Sequence, residues 1–153
     1  MTRAATITYS DRDTQTSLMY VDENASGNSQ APMRSLDSLV ESDGLPPPDL
    51  IKIDVQGFEL EVLKGGERAL AGAQAALLEV NWCAFAPGVP LVDEVVAYMS
   101  GRGFAWWDVM GLLRRPADDA LWQMDVMFVR RDHALRGESA FDTLGRRQGA
   151  QGG

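Results

Sequence analysis

Leu50-Ile51-Lys52-Ile53-Asp54-Val55-Gln56-Gly57-Phe58-Glu59-Leu60-Glu61-Val62-Leu63-Lys64-Gly65-Gly66 is the stretch that decides the fold. Its opening run, Leu50 to Val55, is β-branched and bounded by Pro46-Pro47-Pro48 and Gly57, which is the pattern of a buried strand. From Phe58 the period changes: Leu60 and Leu63 lie one turn apart on a single helical face. Gly65-Gly66 should stop that helix, since each glycine costs about 1 kcal/mol relative to Ala in a helix interior.

Working downstream, a second short helix is expected over Glu67 to Ala71, then an apolar strand from Gln74 to Val80. Pro87-Gly88-Val89-Pro90 reads as a turn. Val92, Val95, Val96 and Met99 share one face of a helix that stops near Gly101 and Gly103. Phe104 to Val109 and Trp122 to Val129 read as two antiparallel strands joined by a polar loop containing Gly111, with Trp122, Met124, Val126 and Phe128 on one side of the second. Upstream, Ser35 is a good N-cap for a turn of helix through Val40. Asn24 to Ser29 has loop composition, and Thr6-Ile7-Thr8-Tyr9 with Ser17 to Val21 reads as a hairpin. The expected fold is therefore α/β, with a mostly parallel sheet and a C-terminal antiparallel hairpin, over residues 1–132. The polar, glycine-rich tail over 133–153 is expected to be disordered.

Composition narrows the function. The chain has 153 residues, 45% of them apolar, which is enough for one packed domain. With 14 basic against 22 acidic residues the net charge is −8, and the basic residues are scattered, so nucleic acid is not an expected partner. No apolar run is long enough to span a membrane, and the N-terminus lacks the apolar core of a secretory signal. The single cysteine, Cys83, can form no internal disulfide, so a cytoplasmic location is expected. His133, the one histidine, precedes the tail, which argues against a Ser-His-Asp triad or a histidine metal site; no metal ligands are assigned.

The chemistry gathers at the strand ends. Alternation puts Ile51, Ile53 and Val55 on one face of the first strand and Leu50, Lys52 and Asp54 on the other. Two charges on one face of a sheet sandwiched by helices need a reason. Either Lys52 and Asp54 form an ion pair near solvent, or Asp54 faces a ligand, because open α/β sheets bind ligands outside the carboxyl ends of their strands. Gly57 would permit close approach there, and Gln56 could hydrogen-bond at the same rim. Glu59 falls in the first helical turn, where it complements the helix dipole. Glu79, set among Leu77, Leu78 and Val80, needs a partner or an opening onto the same cleft. Trp82 could cover a flat ligand.

Asp49 to Gly66 resembles the signature segment of the FkbM-type methyltransferases, which run Ile-Lys-Ile-Asp-Val-Glu/Gln-Gly, then an aromatic or Ala, then Glu and Leu-x-x-Leu-x-Gly. Arg34-Ser35-Leu36-Asp37-Ser38-Leu39, Gly27-Asn28-Ser29 and the strand ending at Glu79 are similar too, and the likeness extends from about Thr6 to Asp132. The resemblance implies a Rossmann-like fold, S-adenosylmethionine as cofactor, and methyl transfer to a hydroxyl oxygen of a small molecule or sugar. It implies that Leu50 to Val55 is the fourth strand of a seven-stranded sheet and that the last strand inserts antiparallel. Asp54 and Glu79 are then the catalytic candidates, Asp54, Gln56 and Gly57 the cofactor contacts, and Glu59 and Trp82 the substrate contacts.

Such enzymes hold the cofactor with a glycine-rich loop after the first strand, and no such loop is found. Gly101-Arg102-Gly103 follows a helix and precedes a strand, the reverse of the required order. The expectation is a C-terminal portion of the domain, either an enzyme or a non-catalytic remnant serving as an interaction module. Its Leu50–Val55 strand would then have a bare edge, inviting self-association or a completing chain.

Overall fold

The computed structural model describes residues 5–12, 15–17 and 28–137. They form two sheets. The first is three-stranded, with β1 (Ala5–Arg12) paired antiparallel to both β2 (Gln15–Ser17) and β3 (Asn28–Met33). A hairpin of β1 and β2 is present as expected, although residues 18–21 of the expected second strand lie outside the described residues. Asn28 and Ser29 are not loop. They open β3, a strand that polar composition and Pro32 conceal.

Helix α1 (Leu36–Ser42) starts at Ser35, whose hydroxyl accepts from the Ser38 backbone N–H at 3.2 Å. The second sheet follows, with β4 (Leu50–Ile53), β5 (Ala75–Asn81), β6 (Phe104–Arg114) and β7 (Leu121–Arg130). Between β4 and β5 lie α2 (Glu59–Lys64) and α3 (Glu67–Gly72), separated at Gly65-Gly66. Helix α4 (Val92–Gly101) links β5 to β6. Residues 134–136 make a single 3-10 turn at the start of the tail expected from 133, and 138–153 lie outside the described residues.

The order across this sheet is β4-β5-β7-β6. Only β4 and β5 pair in parallel; β7 runs antiparallel to β5 on one side and β6 on the other. The expectation of a mostly parallel sheet is thus corrected to a mixed one. The reason is topological: β4, β5 and β6 share a direction, but the last strand slips between β5 and β6 and removes a parallel pairing. The final strand does insert antiparallel. The polar connection is also shorter than expected, because β6 continues past Val109 to Arg114.

Alternation sorts the residues as period 2 requires. Ile51 and Ile53 of β4, Ala76, Leu78 and Val80 of β5, and Met124, Val126 and Phe128 of β7 face one core. All four helices contribute to that core, through Leu36 and Val40, Leu63, Leu70, and Val95 with Met99. The expectation of helices on both faces is therefore not met among the described residues. Lys52, Asp54, Glu79 and Asp125 lie on the opposite face, half-buried or exposed, which is why charges are tolerated there.

Candidate functional site

The charged face meets the carboxyl ends of β4 and β5 at a tight loop, Asp54 to Phe58. Gln56 sits at φ +50° and Gly57 at φ +100°, so two successive residues adopt left-handed backbone, which is strained for the glutamine. Glu59 braces the loop: its Oε1 accepts the Gly57 N–H at 2.9 Å. Glu59 is completely buried, and its Oε2 has no partner among the described residues. Burial pushes its carboxyl pKa up, partly opposed by backbone hydrogen bonds. The structure therefore places Glu59 under the loop as a positioning residue, where it exposes no surface to a substrate.

The turned-up Gln56 joins the two carboxylates singled out in the sequence. Its Nε2 donates to Asp54 Oδ1 at 3.2 Å and to Glu79 Oε2 at 2.6 Å. Gln123 of β7 donates to the same Glu79 oxygen at 3.1 Å and to Asn81 Oδ1 at 3.0 Å. Glu79 is thus held by two neutral amides rather than a base. Its pKa rises to about 7, first through burial and then through the nearby charges of Asp54, Asp125 and Glu59. A carboxyl poised near neutrality can take or give a proton.

Asp54 keeps the ion pair that its alternation with Lys52 allows, at 3.0 Å, with its side chain 40% exposed. It stands at the rim beside Gln56 and does not line the adjacent cavity. The cavity, about 170 Å³, lies over β5, β7 and β6 and is lined by Glu79, Gln123 and Asp125, whose side chains share that face of the sheet, and by the β6 stretch Gly111 to Leu113. Trp82 is half exposed just past β5, its backbone N–H donating to the Trp122 carbonyl, and it is not part of the cavity wall. The Cys83 thiol donates to the Leu121 carbonyl and packs. Among the described residues no group of three or more His, Cys, Asp and Glu is arranged to hold a metal ion.

Gln123, Asn81 and Asp125 are the site residues that sequence reasoning missed. Gln123 carried a signal, being a polar residue that ends up buried inside an apolar strand. Asp125 carried none, because its position opposite Glu79 depends on the register of β5 with β7.

The sequence pattern of the Methyltransferase FkbM domain matches residues 2–105, more than half of the chain. The chain belongs to the FkbM methyltransferase family. Among curated proteins, hexuronic acid methyltransferase AglP of Haloferax volcanii is 47% identical over 45 residues, which cover 29% of this chain and 19% of the relative. The chain thus matches about a fifth of that relative's length. No solved structure matches. Among the described residues no helix is long and apolar enough to cross a membrane.

Proposed function

We propose that this FkbM-family chain carries the site of a Rossmann-like, S-adenosylmethionine-dependent O-methyltransferase acting on a small molecule or sugar. The observation that carries the reading is the Asp54–Gln56–Glu79 cluster at the carboxyl ends of two parallel strands, where α/β sheets bind their ligands. The strand order β4-β5-β7-β6, with one reversed strand inserted, supports it. The name of the relative matched over 45 residues supports a sugar-like acceptor. The lone cysteine fits a cytoplasmic setting.

The donor set suits the cofactor. Asp54, Glu79 and Asp125 raise a negative potential that Lys52, among the described residues, partly offsets, and such a potential favours a sulfonium cation. When bound, S-adenosylmethionine supplies an electrophilic methyl group on a positively charged sulfur. Asp54 and Gln56 would hold it, the exposed Asp54 carboxylate offering charge, while Gly57, buried with its N–H donating to Glu59, would shape the turn that carries them. Glu79, with its pKa near 7, would take the acceptor hydroxyl's proton. The amides of Gln56 and Gln123 fix that carboxylate in place beforehand.

The second reading is a binding module without chemistry. The Lys52–Asp54 ion pair favours it, since it already occupies one Asp54 oxygen. Calorimetric titration of the full chain with S-adenosylmethionine, alongside thermal melting, separates the two. A saturable heat is expected, with stabilisation of about 2.7 kcal/mol at a hundredfold excess over Kd. Asp54→Ala is expected to remove both signals. No heat and no shift in the unaltered chain would establish the module instead.

A further inference from the structure

Asn81 closes β5 on the same face as Glu79, two positions before it, and lies directly opposite Gln123 of β7. Both amides are buried, Asn81 completely. The chain returns at Leu91 to bridge the Asn81 backbone, which fixes this end of the strand. Buried polar groups are normally paired, yet the Asn81 amide nitrogen has no partner among the described residues. A donor left over in this way calls for a reason.

The direction of the hydrogen bonds supplies it. Ionised Glu79 can only accept, so the Gln123 side chain must turn its nitrogen toward it, at 3.1 Å. That nitrogen carries a second hydrogen, and Asn81 Oδ1 accepts it at 3.0 Å. With its oxygen committed, Asn81 turns its own nitrogen away. Reversing Asn81 would set two donors face to face, and reversing Gln123 would set a carbonyl oxygen against a carboxylate. Gln56 Oε1 stands 3.5 Å from the same nitrogen, too far to hold it as firmly. One unpaired donor on Asn81 is therefore the consequence of keeping a donor aimed at Glu79.

We propose that Asn81 is a positioning residue for Glu79: by accepting from Gln123 it locks that amide with its nitrogen toward the carboxylate, and so favours the ionised form at a site crowded with like charge. The use of that form in methyl transfer rests on the function proposed above; the control of Glu79 does not. The charged groups acting on Glu79 are Lys52 on β4, Asp54 just beyond it, Asp125 on β7 and Glu59 on α2. Asn81→Leu leaves every one of them in place. With its second hydrogen unanswered, Gln123 is free to turn, the charged carboxylate loses a donor, and protonation becomes easier.

The test is carbon-13 NMR titration of the Glu79 side-chain carboxyl in the full chain, its resonance assigned by loss in Glu79→Gln. A midpoint of about 7 is expected for the unaltered chain. Asn81→Leu should raise it by about one unit, a tenfold tighter hold on the proton. Gln123→Leu should raise it as far, and adding Asn81→Leu to that variant should raise it no further, because the second change then has nothing to act through. An Asn81→Leu midpoint equal to the parent's overturns the proposal, as does a rise that persists undiminished in the Gln123→Leu background. The unaltered chain supplies a check that needs no variant to fold: the Gln123 side-chain amide resonances should shift with the Glu79 midpoint, and resonances that stay flat also overturn the proposal. A raised midpoint for Asn81→Leu, where the unaltered chain gives no heat with S-adenosylmethionine, upholds the control of Glu79 and defeats methyl transfer. Cofactor heat with an unmoved midpoint defeats the positioning role alone.

Discussion

Glu79 is the residue whose ionisation the structure makes costly. Its folded pKa, about 7, lies above its ordinary value of 4.5, so the folded state holds the proton more tightly than the unfolded chain. Its full contribution to stability is present below about pH 4.5 and is lost as the pH rises through 7. Because the side chain is partly solvated, the loss is reduced to about 1–2 kcal/mol. Glu79→Gln, which cannot ionise, is therefore expected to melt a few degrees above the parent at about pH 8 and to match it near pH 4.5. Thermal melts across that range check it, and a pH-independent difference would contradict the assignment. The two-residue alternation that set Lys52 and Asp54 apart from Ile51 and Ile53 was legible in the sequence, because it is local. Glu59 shows the limit of that locality. Its position in the first helical turn is visible in the chain, whereas its burial beneath a left-handed loop is set by how that loop folds back.

Elements here are held at their ends by residues far away in sequence. Helix α3 has no cap of its own, as Gly66 stands at its start, yet Asp37 of α1 accepts the backbone N–H groups of Arg68 and Ala69 at 3.0 and 2.9 Å. Arg68 returns the contact through Glu41 at 2.8 Å. Asp37 thus acts as a cap supplied from a neighbouring helix, and it joins α1 to α3. Asp37→Ala is expected to cost about 1–2 kcal/mol, the range for losing a cap, whereas Glu41→Ala at the exposed pair should cost under about 1 kcal/mol. Chemical denaturation of both variants checks the ordering. The Ser35 cap and the glycine break between α2 and α3 could be read from the sequence because their causes lie within a few residues. The Asp37 cap could not, since it spans some thirty positions. The mixed pairing of the second sheet escaped for a related reason: the order of elements along a chain does not say which strand becomes whose neighbour.

At the scale of the whole molecule, the second sheet ends at β4 on one side and β6 on the other. Leu50 on β4 is 54% exposed, and on β6 Met110 and Leu112 are exposed to a similar degree. Bulges interrupt β6, which blunts it as a template, whereas β4 is short and regular. We propose that β4 is the edge through which the chain pairs with itself or with a completing chain. Sedimentation velocity is expected to show mass rising with concentration, and Leu50→Lys is expected to reduce it, since edge lysines oppose strand addition. A concentration-independent monomer would refute this.

The inserted position of β7 also governs when the molecule can assemble. Strands β5 and β6 share no ladder of their own and are hydrogen-bonded into one sheet only through β7, the last strand made, so a ribosome that has finished α4 and β6 has made a sheet that is not yet closed. Gln123 and Asp125, which complete the polar cluster, arrive on that same strand. During synthesis, closure of the sheet and completion of its pocket are therefore one event, timed by the emergence of residues 121–130.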